Sequence, residues 1–137
     1  MSIPPSVVSG CVSVLLISLL ACSDSIEPTP VNAFHIRGRV FDVDTNEGIE
    51  GVSVRMEWSA GAFGQGGSHS AASDLQGTYD LIVDFDTQFG QPALCTPDGF
   101  GLALIVPTGY VLVPNARPIE CTESVQLHHL GLRRIGT

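Results

Sequence analysis

Several stretches of this chain alternate apolar and polar side chains with a period of two, the signature of strands with one buried and one wet face. Phe34, Ile36, Gly38 and Val40 alternate with His35, Arg37 and Arg39. Val52, Val54, Met56 and Trp58 alternate with Ser53, Arg55 and Glu57, and Tyr79, Leu81, Val83 and Phe85 with Asp80, Ile82 and Asp84. No stretch carries a convincing helical period. The segments between are punctuation. Asp42 to Gly48 is turn chemistry, Ser59 to Gly67 is a glycine-rich loop, and Asp74-Leu75-Gln76-Gly77 is a turn with Gly where φ is free to be positive. His69 to Ser73 reads as a weak strand. A long connection over Gln88–Phe100 leads to the apolar run Leu102–Val106, and Tyr110–Val113 is expected to pair back on it as a hairpin around Pro107-Thr108-Gly109. A last strand puts Val125, Leu127 and His129 on one face and Gln126, His128 and Leu130 on the other. Seven short strands at regular spacing predict an all-β sandwich.

At 137 residues the chain is long enough for one domain and too short for two. Fourteen acidic residues against six basic ones, all arginine, give a net charge of -8. Binding DNA or RNA needs a basic stripe to neutralise phosphates, so a nucleic-acid partner is excluded as an expectation.

The first 21 residues carry no charged side chain. Val7 to Leu20 is an apolar run interrupted by serines, Gly10 and Cys11, shorter than the roughly 20 apolar residues of a membrane-spanning helix and suited to the core of a signal peptide. It ends in Leu19-Leu20-Ala21-Cys22, which resembles a bacterial lipobox. That resemblance implies cleavage before Cys22, a lipid on its thiol, and, in a cell with two membranes, release to the outer membrane, since Ser23 rather than Asp follows. The segment departs from the pattern in having no Lys or Arg ahead of the apolar run. The alternative is an uncleaved anchor with Cys22 an ordinary cysteine. Both place the remainder outside the cytoplasm, in the bacterial cell envelope facing the periplasm or the cell surface. The expected organisation is a signal peptide over 1–21, a lipidated cysteine and flexible tether over 22–32, and a domain over 33–134. Extended, the tether reaches about 35 Å, so the membrane is the first partner.

Cys11 leaves with the signal peptide. Cys95 and Cys121 remain in an oxidising compartment and most simply pair, closing a loop of about 27 residues at roughly 3–4 kcal/mol on the chain-entropy model. Neither sits in a Cys-x-x-Cys, which argues against a redox or metal pair.

Three segments then follow one family pattern: Ile36-Arg37-Gly38-Arg39-Val40-Phe41-Asp42, Gly48-Ile49-Glu50-Gly51-Val52-Ser53-Val54, and Ser73-Asp74-Leu75-Gln76-Gly77-Thr78-Tyr79-Asp80-Leu81. With Pro107-Thr108-Gly109-Tyr110 they resemble the carboxypeptidase regulatory-like domain over about residues 34–113. The resemblance implies a transthyretin- or prealbumin-like β-sandwich that serves as an accessory or binding module without catalysis of its own.

Candidate chemistry is sparse. Asp42, Asp44 and Asn46 have calcium-loop spacing, but Glu47 stands where an EF-hand needs Gly. Asp80 and Asp84 point the same way on a strand yet lie about 13 Å apart, too far to share an ion. His128 and His129 are adjacent and point to opposite faces, so neither they nor the more distant His35 and His69 form an evident chelate, and they read as surface or edge histidines. Gly38-Arg39-Val40-Phe41-Asp42, Val54-Arg55-Met56-Glu57-Trp58 and Asp74–Tyr79 are also similar to segments of intradiol dioxygenases. That family holds ferric iron with two tyrosines and a His-x-His pair. Only Tyr79 and Tyr110 exist here, and His-x-His is absent.

The expectation is therefore a membrane-anchored lipoprotein with a non-catalytic module, no cofactor and no metal, for an envelope protein or glycan partner. Phe63, Phe89 and Phe100, read as loop aromatics, are its candidate binding residues; the alternative is that they pack under their own loops. The competing reading is a metal-dependent module of the same sandwich type, calcium-stabilised or intradiol-dioxygenase-like.

Overall fold

The computed structural model describes residues 27–59, 66–96, 98–114 and 117–136. The signal-peptide segment, Cys22 and Phe63 lie outside these residues. The strands are β1 (Thr29–Val31), β2 (Ala33–Asp42), β3 (Ser53–Trp58), β4 (Gly67–Ala72), β5 (Thr78–Asp84), β6 (Ala93–Cys95), β7 (Phe100–Leu104), β8 (Tyr110–Leu112), β9 (Val125–Leu127) and β10 (Leu130–Arg134). One short helix, α1 (Phe85–Phe89), follows β5. The fold is a β-sandwich. One sheet runs β5-β2-β10-β8, with β9 also on β2; the facing sheet is β4-β3-β7; and β1 pairs with β6.

Alternation dictates which side chains fill the space between sheets. Phe34, Ile36 and Val40 of β2, Val54 and Met56 of β3, and Tyr79, Leu81 and Val83 of β5 are all at most 1% exposed. Phe85 continues the buried face of β5 into α1. At roughly 25 cal/mol per Å² this burial is the main favourable term holding the sheets together.

Three expectations are corrected here. Tyr110–Leu112 does not fold back on the preceding run. β7 pairs antiparallel with β3, whereas β8 pairs with β10 in the other sheet. The turn at Pro107–Tyr110, with Gly109 at φ 87° and Tyr110 N donating to Pro107 O at 3.2 Å, carries the chain between sheets. Secondly, ten strands are described rather than seven, because β1 and β6 pair and the last strand is broken. The end of the segment read as a tether is thus a strand, Thr29–Val31. Thirdly, Phe85–Phe89 is helical: the Asp84 carboxylate caps it and Gly90, at φ 70°, ends it.

The break between β9 and β10 has a local cause. Both lie parallel along one edge of β2 in a single register, His35 opposite Val125 and Val40 opposite Leu130. Between them His128 presses its backbone on β2 at Gly38, where an added Cβ would lie 1.7 Å from the His128 oxygen. A glycine is required at that point.

Candidate binding surface at the aromatic end

The start of β2, the ends of β3 and β5, the start of β7 and α1 converge at one end of the sandwich. Five aromatic rings meet there. Phe34 packs edge-on against Phe85 and Phe100 at centroid distances of 6.0 and 5.3 Å. Trp58 packs edge-on against Phe85 at 5.8 Å and Phe89 at 6.1 Å. Each ring is placed by a local rule: alternation delivers Phe34 and Trp58 inward, and the cap at Asp84 turns the chain so that Phe85 and Phe89 stack. Asp84 Oδ1 accepts from Thr87 N at 3.0 Å, and its hydrogen bonds with Thr87 hold its carboxyl below the usual range. Gly67 lies flat against the indole, where a Cβ would come within 2.6 Å of the Trp58 ring.

Exposure divides this cluster. Phe85, Phe100 and Trp58 are 0, 6 and 8% exposed, whereas Phe89 is 37% exposed. Phe100 is therefore not a loop aromatic but the first core residue of β7, buried because β7 begins opposite Trp58. Phe89 closes α1 and presents its outer face to solvent. A cavity of about 330 Å³ that shares Trp58 and Phe100 with this cluster is lined also by Glu57, Ser59, Asp98, Gly99 and Gly101. Its charged groups are two carboxylates, one of them within 3.5 Å of Arg55. Such a surface can stack on a flat apolar face and accept hydrogen bonds at its rim.

The disulfide forms as expected. Cys95 and Cys121 are joined with Cα atoms 5.5 Å apart, linking β6 to the segment before β9. That segment is held by a residue that sequence reasoning passed over. Gln126, 4% exposed, donates from Nε2 to the Glu120 and Glu123 carbonyls and accepts from Glu120 N, at 2.7 to 2.9 Å. A polar residue alternating inward with Leu130 was the available signal.

His128 is a correction: it is 4% exposed, not a surface histidine. Its Nε2 lies 3.1 Å from Gln126 Oε1, which leaves Nδ1 buried without a partner. Burial, helped by Arg117, lowers its pKa below the ordinary histidine value. His129 faces outward, and His35 pairs with Asp80 on the outer face of the large sheet, where Arg37 also reaches Asp80 at 3.6 Å.

The calcium-like triplet is used internally. Asp42 is 1% exposed, and its Oδ1 accepts from Asp44 N at 2.9 Å and, more weakly, from Thr45 N at 3.4 Å. Arg134 Nε lies 3.1 Å from Asp42 Oδ2, too far out of line for a hydrogen bond, so that contact is Coulombic. Arg133 reaches Asp44 at 3.6 Å. The two tyrosines are equally committed. Tyr79 is in the core, its hydroxyl donating to the His128 carbonyl at 2.7 Å, and burial pushes its phenol well above the usual range. The Tyr110 hydroxyl accepts from Arg134 Nε at 3.1 Å. Among the described residues no group of three or more His, Cys, Asp or Glu side chains could hold a metal ion.

No family model and no curated protein matches the chain. Similar solved structures include the major plantain pollen allergen Pla l 1, at 15% identity and TM-score 0.45, covering 74% of this chain and 94% of that one. The shaft pilin spaA of Lactobacillus rhamnosus GG is similar at 14% identity and TM-score 0.46, over 77% of this chain and 47% of the pilin. The C-terminal domain of that pilin aligns at 15% identity and TM-score 0.41, over 74% of this chain and 98% of the domain.

Proposed function

We propose that the chain is a lipid-anchored, extracytoplasmic binding module of the bacterial envelope, with a transthyretin-like sandwich of the carboxypeptidase regulatory-like kind and no catalysis of its own. The observation that carries this reading is the Cys95–Cys121 bridge in a domain whose first strand begins just after Leu19-Leu20-Ala21-Cys22. Disulfides persist outside the cytoplasm, and a lipobox is the route by which such a domain is held at a membrane. From Cys22 to Thr29 the chain spans at most about 25 Å, so β1 stays close to the bilayer. Phe85 N donates to Asn32 O at 2.7 Å, which sets α1 beside the incoming chain. The exposed face of Phe89 is then offered to an envelope protein or glycan at the membrane-proximal end.

Two measurements test it. Cells fed an alkyne fatty acid should label the wild-type chain and not Cys22→Ser, which should be released as soluble protein; an unlabelled wild type overturns the anchor. In-cell crosslinking should capture one envelope partner with the wild type and lose it in Phe89→Ala, whose melting curve should show a lowered but still cooperative transition. Capture that survives the substitution overturns the aromatic surface as the binding site.

A further inference from the structure

We propose that a second pocket, between Arg39, Phe41, Asn46 and His129, binds the carboxylate of an acidic sugar residue. This goes beyond the aromatic end. The pocket lies at the far end of β2 and rests on the binding-module reading but not on the lipid anchor.

It measures about 250 Å³, below the usual size of a drug-like site and suited to one terminal group of a larger ligand. The cross-strand neighbour of Phe41 is Gly131, which contributes no side chain to the lining.

The charge in the pocket is uncompensated. Arg37 reaches Asp80, Arg55 reaches Glu57, Arg133 reaches Asp44 and Arg134 reaches Asp42, whereas Arg39 and the exposed Arg117 have no ion pair among the described residues. In a chain of net charge -8 a half-buried arginine without a carboxylate is conspicuous. Its guanidinium is also fixed. Nε donates to Gln76 O at 3.0 Å, Nη2 to Asn46 O at 3.0 Å, and Nη1 reaches Asn46 Oδ1 at 3.5 Å. Asn46, at φ 59°, supplies two of those acceptors from a left-handed turn position. By donor count one N–H on each of Nη1 and Nη2 is left over, available to a carboxylate oxygen. Prior fixation lowers the entropy cost of using it.

The other lining groups select the body of the ligand. The Asn46 amide nitrogen and the His129 ring donate to hydroxyls or to the carboxylate, and Phe41 offers a flat apolar flank for the C–H face of a sugar ring. A phosphate dianion fits less well, because it brings twice the charge of a carboxylate against a chain of net charge -8. The nearby carboxylates oppose the ligand little: Asp44 and Asp80 are already paired with arginines, and Glu47 is exposed to solvent.

The test is an NMR titration of the full chain with trigalacturonate, its methyl ester, and triglutamate. Saturable shifts of the Asn46 side-chain amide and the His129 ring by trigalacturonate are expected. The methyl ester, with its charge removed, should bind about 10–100-fold more weakly, as loss of a charge-assisted contact requires. Arg39→Gln should abolish the shifts; should it unfold, His129→Gln on the opposite wall should still weaken binding several-fold while keeping the melting curve. Equal binding of acid and ester, shifts elsewhere on the surface, preference for triglutamate, or no shifts at all would each overturn the proposal. None of these results bears on labelling at Cys22, so the two readings fail separately.

Discussion

The Tyr79 hydroxyl reaches across β2 to donate to the His128 carbonyl at 2.7 Å, passing over Gly38, where a side chain would block it. Three strands, β5, β2 and the β9–β10 edge, are thereby tied at one point. An alanine at Gly38 would put its Cβ 1.7 Å from the His128 oxygen and 2.8 Å from the Tyr79 ring. The first contact is backbone and cannot rotate away. Gly38→Ala is expected to cost about 3 kcal/mol or more, and Tyr79→Phe, which removes one hydrogen bond, about 1–2 kcal/mol. Urea melts of the two variants measure both, and the glycine should be the costlier.

Reduction of the disulfide, or Cys95→Ser with Cys121→Ser, frees two chain positions 26 residues apart. The expected loss is roughly 3–4 kcal/mol. Because β1 is paired to β6, hydrogen exchange should speed up first at Thr29–Val31 and Ala93–Cys95. A uniform acceleration across all strands would count against this local picture.

His128 makes stability depend on pH. Its folded pKa lies below its unfolded value, so between the two the unfolded chain binds a proton that the folded chain does not. Stability is then complete above the unfolded value of about 6.5 and falls as pH drops below it. His128→Gln should flatten that slope whatever it costs at neutral pH. Chemical melts at pH 7.5 and 5.5, compared between wild type and variant, decide it.

The Asp42 turn provides the test of the calcium reading. Asp42 Oδ1 serves the Asp44 and Thr45 amides, and Oδ2 faces Arg134. Asp42→Ala should cost about 1–2 kcal/mol by leaving two partly buried amide donors unmet, and Asp42→Asn less, since it keeps one acceptor. Melting curves with added calcium and with chelator should coincide. A calcium-dependent rise would revive the competing metal-dependent module.

Alternation alone determined the inward set of β2, β3 and β5, because in a strand the side-chain period is geometric and independent of what the strand meets. The turn at Asp74–Gly77 and the pairing of Cys95 with Cys121 were legible for the same local or arithmetical reasons. Only the tertiary structure decided what depends on partners distant in sequence. Leu102–Val106 and Tyr110–Val113 looked like a hairpin, but their neighbours on other strands, β3 and β10, drew them into different sheets. In the last strand the apolar residues Val125 and Leu127 are 60% and 56% exposed while Gln126 and His128 are buried. Hydrophobicity could not foresee that inversion. The inward face there is chosen by the hydrogen bonds that Gln126 makes to the 120–123 backbone and by the close approach of His128 to Gly38, and neither contact is local. The pocket at Arg39 has the same origin: four residues from β2, the Asp42–Gly48 turn and the stretch between β9 and β10 meet because the register of β9 and β10 on β2 sets His129 alongside Arg39.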